Sequence, residues 1–178
     1  HRMDAHAPDV ANAPRNPPVV RRAGLQDHPD VARLLDEALP NEPYRYADNL
    51  AWDESFVLNH VALSEGRLVG YITVLVSPPD PRGHALWQRL PRPYVGCLAV
   101  KPSHQRQGIG HRLINATLAA LPTLPVAPGL SGHLYLECAD ALVPVYRRMG
   151  FEPLLPAQIL ALAGMPARAN AMRRALPP

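Results

Sequence analysis

Two apolar runs, Val61-Ala62-Leu63 and Leu68 through Val76, flank the polar break Ser64-Glu65-Gly66-Arg67. Runs of this length around a glycine-containing break predict an antiparallel hairpin over residues 61 to 76. The second run offers apolar side chains to both faces, so that strand is expected inside a sheet covered by helices. Tyr94 to Val100 and His133 to Cys138 predict two further strands, and Val19 to Ala23 a short one.

Elsewhere the apolar period lengthens to that of a helix. Val31, Leu34, Leu35, Ala38 and Leu39 form one stripe, ending before Pro40. Asp27 is expected to cap its first amides, with Pro29 and Asp30 suited to the first turn. Ile109, Leu113, Ile114, Thr117, Leu118 and Leu121 make a second stripe, which predicts a helix burying one broad face. Ala141 to Met149 predicts a short helix if Pro144 falls in the first turn, and Gly150 is placed to stop it. Ile159 to Ala163 reads as a last strand, and Ala167 to Leu176 as a terminal helix with Arg168, Arg173 and Arg174 exposed.

Three stretches have no clear period. Residues 41 to 59 mix Glu42, Asp48, Asp53 and Glu54 with Tyr44, Tyr46, Trp52 and Phe56, which suits either a solvated connector or a wall for an acceptor. Pro78 to Pro93, with Asp80, Arg82, His84 and Trp87, reads as a specificity loop or a local insertion. His1-Arg2 ahead of Met3 reads as an appended remnant, and Pro14, Pro17 and Pro18 make the following residues a flexible arm. The expected division is therefore 1 to 18 for remnant and arm, and 19 to 178 for a single domain. Alternating strands and helices in its centre predict an α/β fold of mixed type, a mixed sheet with helices on both faces.

The 178 residues suffice for one sizeable core and are short for two. The net charge of +3 comes from a basic side made almost entirely of arginine, Lys101 being the sole lysine. Acids are interspersed with the arginines and no long basic run occurs, so no nucleic-acid partner is expected. No run of eighteen apolar residues and no signal-peptide core are present, which favours a cytoplasmic protein without a membrane partner. Eight dispersed histidines predict no metal site. Cys97 and Cys138 sit in separate strand-like segments, where buried free thiols are ordinary and a disulfide is left open.

The chemistry is concentrated in Gln105-Arg106-Gln107-Gly108-Ile109-Gly110, between an apolar strand and an apolar-striped helix. A strand that ends in a tight turn and passes straight into a helix leaves backbone amides without internal acceptors. Those amides and the positive helix end suit a pyrophosphate. Gly108 and Gly110 remove side chains where phosphate and backbone approach, and Arg106 can add a charged contact at the rim. Neither a P-loop ending nor three-glycine dinucleotide spacing is present.

This hexapeptide resembles the Gln/Arg-x-x-Gly-x-Gly/Ala acetyl-CoA signature of the GCN5-related N-acetyltransferase (GNAT) family. The hairpin 61 to 76, the strand 94 to 100 and Tyr146-Arg147-Arg148-Met149-Gly150-Phe151 are similar to that family in order and spacing. The likeness covers roughly residues 19 to 155 and implies a mostly antiparallel central sheet with helices on both faces. It implies acetyl-CoA as cosubstrate, with Gln105 and Arg106 in the signature and the amides of Gln107, Gly108, Ile109 and Gly110 on its pyrophosphate. It implies also that Leu98 and Val100 hold the pantetheine arm by backbone groups, in a splay between two central parallel strands carrying Cys97 and Cys138.

Tyr146 matches a family tyrosine assigned to protonate the departing thiolate and is nominated for that role, with a core tyrosine whose hydroxyl is satisfied as the alternative. A backbone donor near Leu98 would polarise the thioester carbonyl. Tyr94 stands where some relatives carry a glutamate base, which leaves Glu137 as the nominated carboxylate, with Glu54 and Asp53 behind it. Cys138-Ala139-Asp140-Ala141 lacks the asparagine common ahead of the family tyrosine. The implied reaction is acetyl transfer to a primary amine, a small polar acceptor being favoured over a protein or peptide. A noncatalytic acyl-CoA-binding regulator is the alternative of another class, and a homodimer is left open.

Overall fold

The computed structural model describes residues 16–40, 57–76, 91–124, 132–161 and 170–177. The arm through residue 15, residues 41–56, most of the proline-rich excursion (77–90), and residues 125–131 and 162–169 lie outside the described residues. With them lie Trp52, Asp53, Glu54, His84, Trp87 and Arg168.

The described strands are β1 (Val19–Arg22), β2 (Val57–Ser64), β3 (Arg67–Leu75), β4 (Tyr94–Val100), β5 (His133–Cys138), β6 (Glu152–Pro153) and β7 (Asn170–Ala175). Their helices are α1 (His28–Ala38), α2 (Ile109–Ala120), α3 (Val143–Arg148) and α4 (Pro156–Ala161). The strands form one sheet in the order β1-β2-β3-β4-β5-β7-β6, antiparallel throughout except for the β4–β5 pair.

Two cores explain why the central strands are apolar on both faces. On one face Val31, Leu34 and Leu35 of α1 pack with Val61, Tyr71, Cys97 and Ala99. On the other, Ile109, Leu113, Ile114 and Leu118 of α2 pack with Leu58, Ala62, Ile72 and Leu136. Each valine, leucine or isoleucine among them, taken wholly from water, contributes about 2 kcal/mol before the entropy of ordering is subtracted. Gly70 brings α2 close to the sheet, since a Cβ there would stand 2.9 Å from Ile109 Cγ2 and 3.0 Å from Leu113 Cδ1.

Several sequence expectations change. Asp27 does not cap α1. Residues Leu25–Asp27 form a 3-10 turn ahead of the helix, so the Asp27 backbone is already helical. Its carboxylate turns back and accepts two 2.8 Å bonds from the Arg21 guanidinium and a third, also 2.8 Å, from the Gly24 amide. β2 starts at Val57, inside the stretch expected to be connector, because the Asn59 side chain is satisfied within the sheet by the Tyr71 hydroxyl at 3.2 Å. The expected strand at Ile159 is helix α4 through Ala161. Gln158 starts it by accepting from the Leu155 amide while its own amide donates to the Leu155 carbonyl.

The expected terminal helix is instead strand β7, paired with all six residues of β5 and with β6. Pairing partners distant in the chain override the local helical preference there. Arg173 and Arg174 are accordingly not exposed: Arg173 donates to Glu152 Oε1 at 2.9 Å and Arg174 to the Met149 carbonyl at 2.7 Å. Pro144 does fall in the first turn of α3, and Gly150 ends that helix at φ +86°.

Candidate active site

β4 and β5 begin as neighbours and then part. Their register contains the single pair Tyr94 with Tyr135, and the Tyr135 amide donates to the Pro93 carbonyl at 3.0 Å. β4 follows β3 instead, through six paired positions interrupted between Thr73 and Val74, where Gly96 is the extra residue of a bulge. A bulge bends its strand and increases the local twist, which carries the end of β4 away from β5.

Ladder parity fixes where the freed backbone points. The Lys101 amide donates to the Val69 carbonyl at 2.8 Å. In an antiparallel ladder hydrogen-bonded pairs alternate with unbonded ones. Val100, opposite Gly70, and Leu98, opposite Ile72, therefore turn their backbone groups away from β3 and into the parting. The Val100 carbonyl is occupied there by the Gln105 side-chain amide at 3.1 Å.

That bond ties the glycine turn to the end of β4. The Gln107 side chain adds a second brace, donating to the Ser103 carbonyl at 3.4 Å. Both glutamine side chains are thus spent within the loop. Arg106 is exposed and adopts a left-handed φ of 60°, and Gly108 follows at φ +77° as the residue before α2. The first intrahelical bond runs from the Arg112 amide to the Gly108 carbonyl at 3.0 Å. No side chain caps the preceding amides, and those of Gln107 through Gly110 have no acceptor among the described residues. A Cβ on Gly108 would meet nothing within 4 Å, whereas one on Gly110 would face Met149 Cε at 3.4 Å and Leu98 Cδ2 at 3.8 Å. Gly108 therefore borders open space and Gly110 an internal contact. The buried Ile109 side chain anchors the helix start on the core below.

Tyr146 on α3 closes the arrangement. Its ring meets Phe151 edge-on, and its hydroxyl has no hydrogen-bond partner among the described residues. Burial first, and then the nearby thiols of Cys138 and Cys97, push its pKa above the usual tyrosine range. The ring packs on the same core as Leu98 and Val100 of β4 and Cys138 of β5, which sets Tyr146 beside the parting. Neither cysteine is in a disulfide. Glu137 is exposed and, by strand alternation, points to the face opposite Cys138, so the fold does not bring it beside Tyr146.

Four residues escaped the sequence reading. Gly70 and Gly96 are single glycines inside strands, a recognised sign of close approach or a bulge. Arg174 carried no such sign, because its segment reads as a helix. Where the family asparagine is missing, Asn170 of β7 donates to the Cys138 carbonyl at 3.3 Å and to Asp140 Oδ1 at 2.5 Å. Among the described residues no group of three or more His, Cys, Asp or Glu could hold a metal. No described helix is long and apolar enough to cross a membrane.

An α/β sheet with one parallel pair parted beside an uncapped helix start defines the class, an acyl-coenzyme A-dependent transferase fold. A protein-family model described as the acetyltransferase (GNAT) family matches residues 27–151, and the chain belongs to that family. No curated protein matches the sequence. Among solved structures it is similar to a GNAT family N-acetyltransferase, YhbS, from Escherichia coli in complex with CoA (20% identity, TM-score 0.63, covering 93% of this chain and 85% of that one). It is similar also to a protein described as histone acetyltransferase HPA2 and related acetyltransferase from Corynebacterium glutamicum (25%, 0.63, 92% and 98%). A third is the ribosomal-protein-S18-alanine N-acetyltransferase from Escherichia coli (17%, 0.61, 89% and 94%). The protein is an N-acetyltransferase with acetyl-CoA as cosubstrate and an amine as acceptor.

Proposed function

We propose that the chain transfers an acetyl group directly from acetyl-CoA to the primary amine of a small polar molecule, with Tyr146 as donor to the departing sulfur. The observation that carries this reading is the Tyr146 hydroxyl, which has no hydrogen-bond partner among the described residues and belongs to a ring packed on the same core as Leu98, Val100 and Cys138 of the parted strands. Acetyl-CoA supplies the thioester whose carbonyl carbon the amine attacks. The amides of Gln107 through Gly110, without an acceptor among the described residues, suit its pyrophosphate, and the open side of Gly108 leaves room for it. Arg106, exposed at the rim, can add charge.

Along β4, the backbone groups of Leu98 and Val100 suit the amide-bearing arm, and the Leu98 amide suits the oxygen on which charge develops. The raised pKa keeps the Tyr146 hydroxyl protonated at neutral pH. A free thiol titrates at about 8.5, below tyrosine, so the hydroxyl works best by donating a hydrogen bond to the forming thiolate. The exposed Glu137 carboxylate lies on the other face, where it can draw in a cationic amine and take its proton. A small acceptor suits a parting bordered on that face by Tyr94, Tyr135 and Glu137, side chains of one strand pair.

The test is incubation with acetyl-CoA and a panel of small amines and peptides, read by mass spectrometry. Acetylated small amines are expected. Product on peptides alone would move the acceptor to a protein, and coenzyme binding without product would favour a regulator. Tyr146→Phe should bind coenzyme normally and lose turnover by about a hundredfold, the range of a single acid–base group.

A further inference from the structure

We infer that Arg174 is a positioning residue that sets Tyr146 over the parting by holding the C-terminal end of α3, an inference resting on the thiolate-donor reading of Tyr146. The helix is six residues long and has no fully buried side chain of its own; Val143 and Tyr146 rest on the core only partly buried, so what grips its ends bears on its placement. Arg174 grips one of them. Its Nη1 donates to the Met149 carbonyl at 2.7 Å, and its guanidinium lies over Gly150, within 3.3 to 3.5 Å of where a Cβ would stand.

A cation at this end is favourable twice over. It meets a carbonyl that no further helical turn satisfies, and it faces the negative end of the helix. Glycine at 150 both allows the positive φ and leaves room for the guanidinium plane. The same end carries the bonds that hold the residue in question: the Met149 and Phe151 amides donate to the Tyr146 carbonyl at 3.0 and 3.1 Å. Met149 also reaches the coenzyme helix, its Cε 3.4 Å from the Cβ position of Gly110. Arg174 thus comes from β7, two strands away from β4, and links the tyrosine helix to the first turn of α2. Its neighbour Arg173, spent on Glu152, has no such link and serves as the control.

The test is a double-mutant cycle of Arg174→Met and Tyr146→Phe, assayed for thiol release from acetyl-CoA with an amine that gives product in the panel. Arg174→Met should lower kcat about ten- to a hundredfold, as misplacing a reacting group by an ångström does, with KM for acetyl-CoA within about twofold. In the Tyr146→Phe background it should lower kcat no further, and Arg173→Met should change neither constant. In fluorotyrosine-labelled protein, the Tyr146 fluorine resonance, identified by its loss in Tyr146→Phe, should shift or broaden in Arg174→Met. If Arg174→Met does not fold, Arg174→Lys takes its place under the same criterion. Equal losses in both backgrounds, or an effect confined to KM, would overturn the positioning role alone. Full turnover in Tyr146→Phe by itself would overturn the donor reading.

Discussion

The Tyr146 ring stands edge-on to Phe151, with centroids 5.8 Å apart and planes inclined at 76°. Phe151 is 3% exposed and belongs to the core under α2, so the proposed donor leans on that core. Phe151→Ala leaves a cavity on that side and should destabilise the fold by about 3 kcal/mol in urea unfolding. Turnover should fall while the protein is still folded. Unchanged turnover at unchanged coenzyme affinity would show that the ring contact does not position the hydroxyl.

The two glycines of the signature should respond differently. Gly108 holds a left-handed φ beside open space, so Gly108→Val adds backbone strain of about 1 kcal/mol and a branched side chain where phosphate is proposed to lie. Coenzyme affinity by calorimetry should fall about tenfold, equivalent to about 1.4 kcal/mol. Gly110→Ala places its methyl at ordinary contact distance from Met149 and should bind nearly as the parent does. Equal losses at both positions would contradict this division.

Gly70 tests the seating of the helix from below. A side chain there collides with Ile109 and Leu113 and comes within 3.3 Å of the Ala62 Cβ. Gly70→Val should cost about 1 to 3 kcal/mol in urea unfolding, as overpacking does. Ile109 is the first residue of α2, so coenzyme affinity should fall with it. Stability equal to that of the parent would mean that α2 can shift freely on the sheet.

What could be read in advance follows from how far each signal travels along the chain. β4, β5 and the buried stripe of α2 were legible because alternation and helical period are local. The start of β2 was hidden by Asn59, whose partner Tyr71 lies on the next strand. β7 was hidden because Ala171, Met172, Arg173 and Arg174 carry helix-forming side chains, and only pairing with β5 makes them a strand. Arg174 was missed with it. The Asp27 carboxylate looked like a cap until the 3-10 turn that redirects it toward Arg21 was visible.

His60 on β2 gives the fold a pH dependence that separates from that of its carboxylates. It is 5% exposed, and its Nδ1 has no partner among the described residues. Burial first, and the Arg22 charge second, lower its pKa to about 4. Unfolded, it titrates near 6.5, so between these values the unfolded chain binds the extra proton. The stabilisation is therefore complete above about pH 6.5 and is lost as pH falls toward 4, by at most about 3 kcal/mol. Asp27, whose pKa is lowered chiefly by its hydrogen bonds from Arg21, loses its contribution only at lower pH. Urea unfolding from pH 8 to 4 should show a falling midpoint in the parent and a flatter profile in His60→Leu. That variant also removes an unsatisfied buried nitrogen and should be no less stable than the parent at pH 5. Parallel profiles for the two proteins would mean that His60 takes up its proton in the folded state as easily as in the unfolded one.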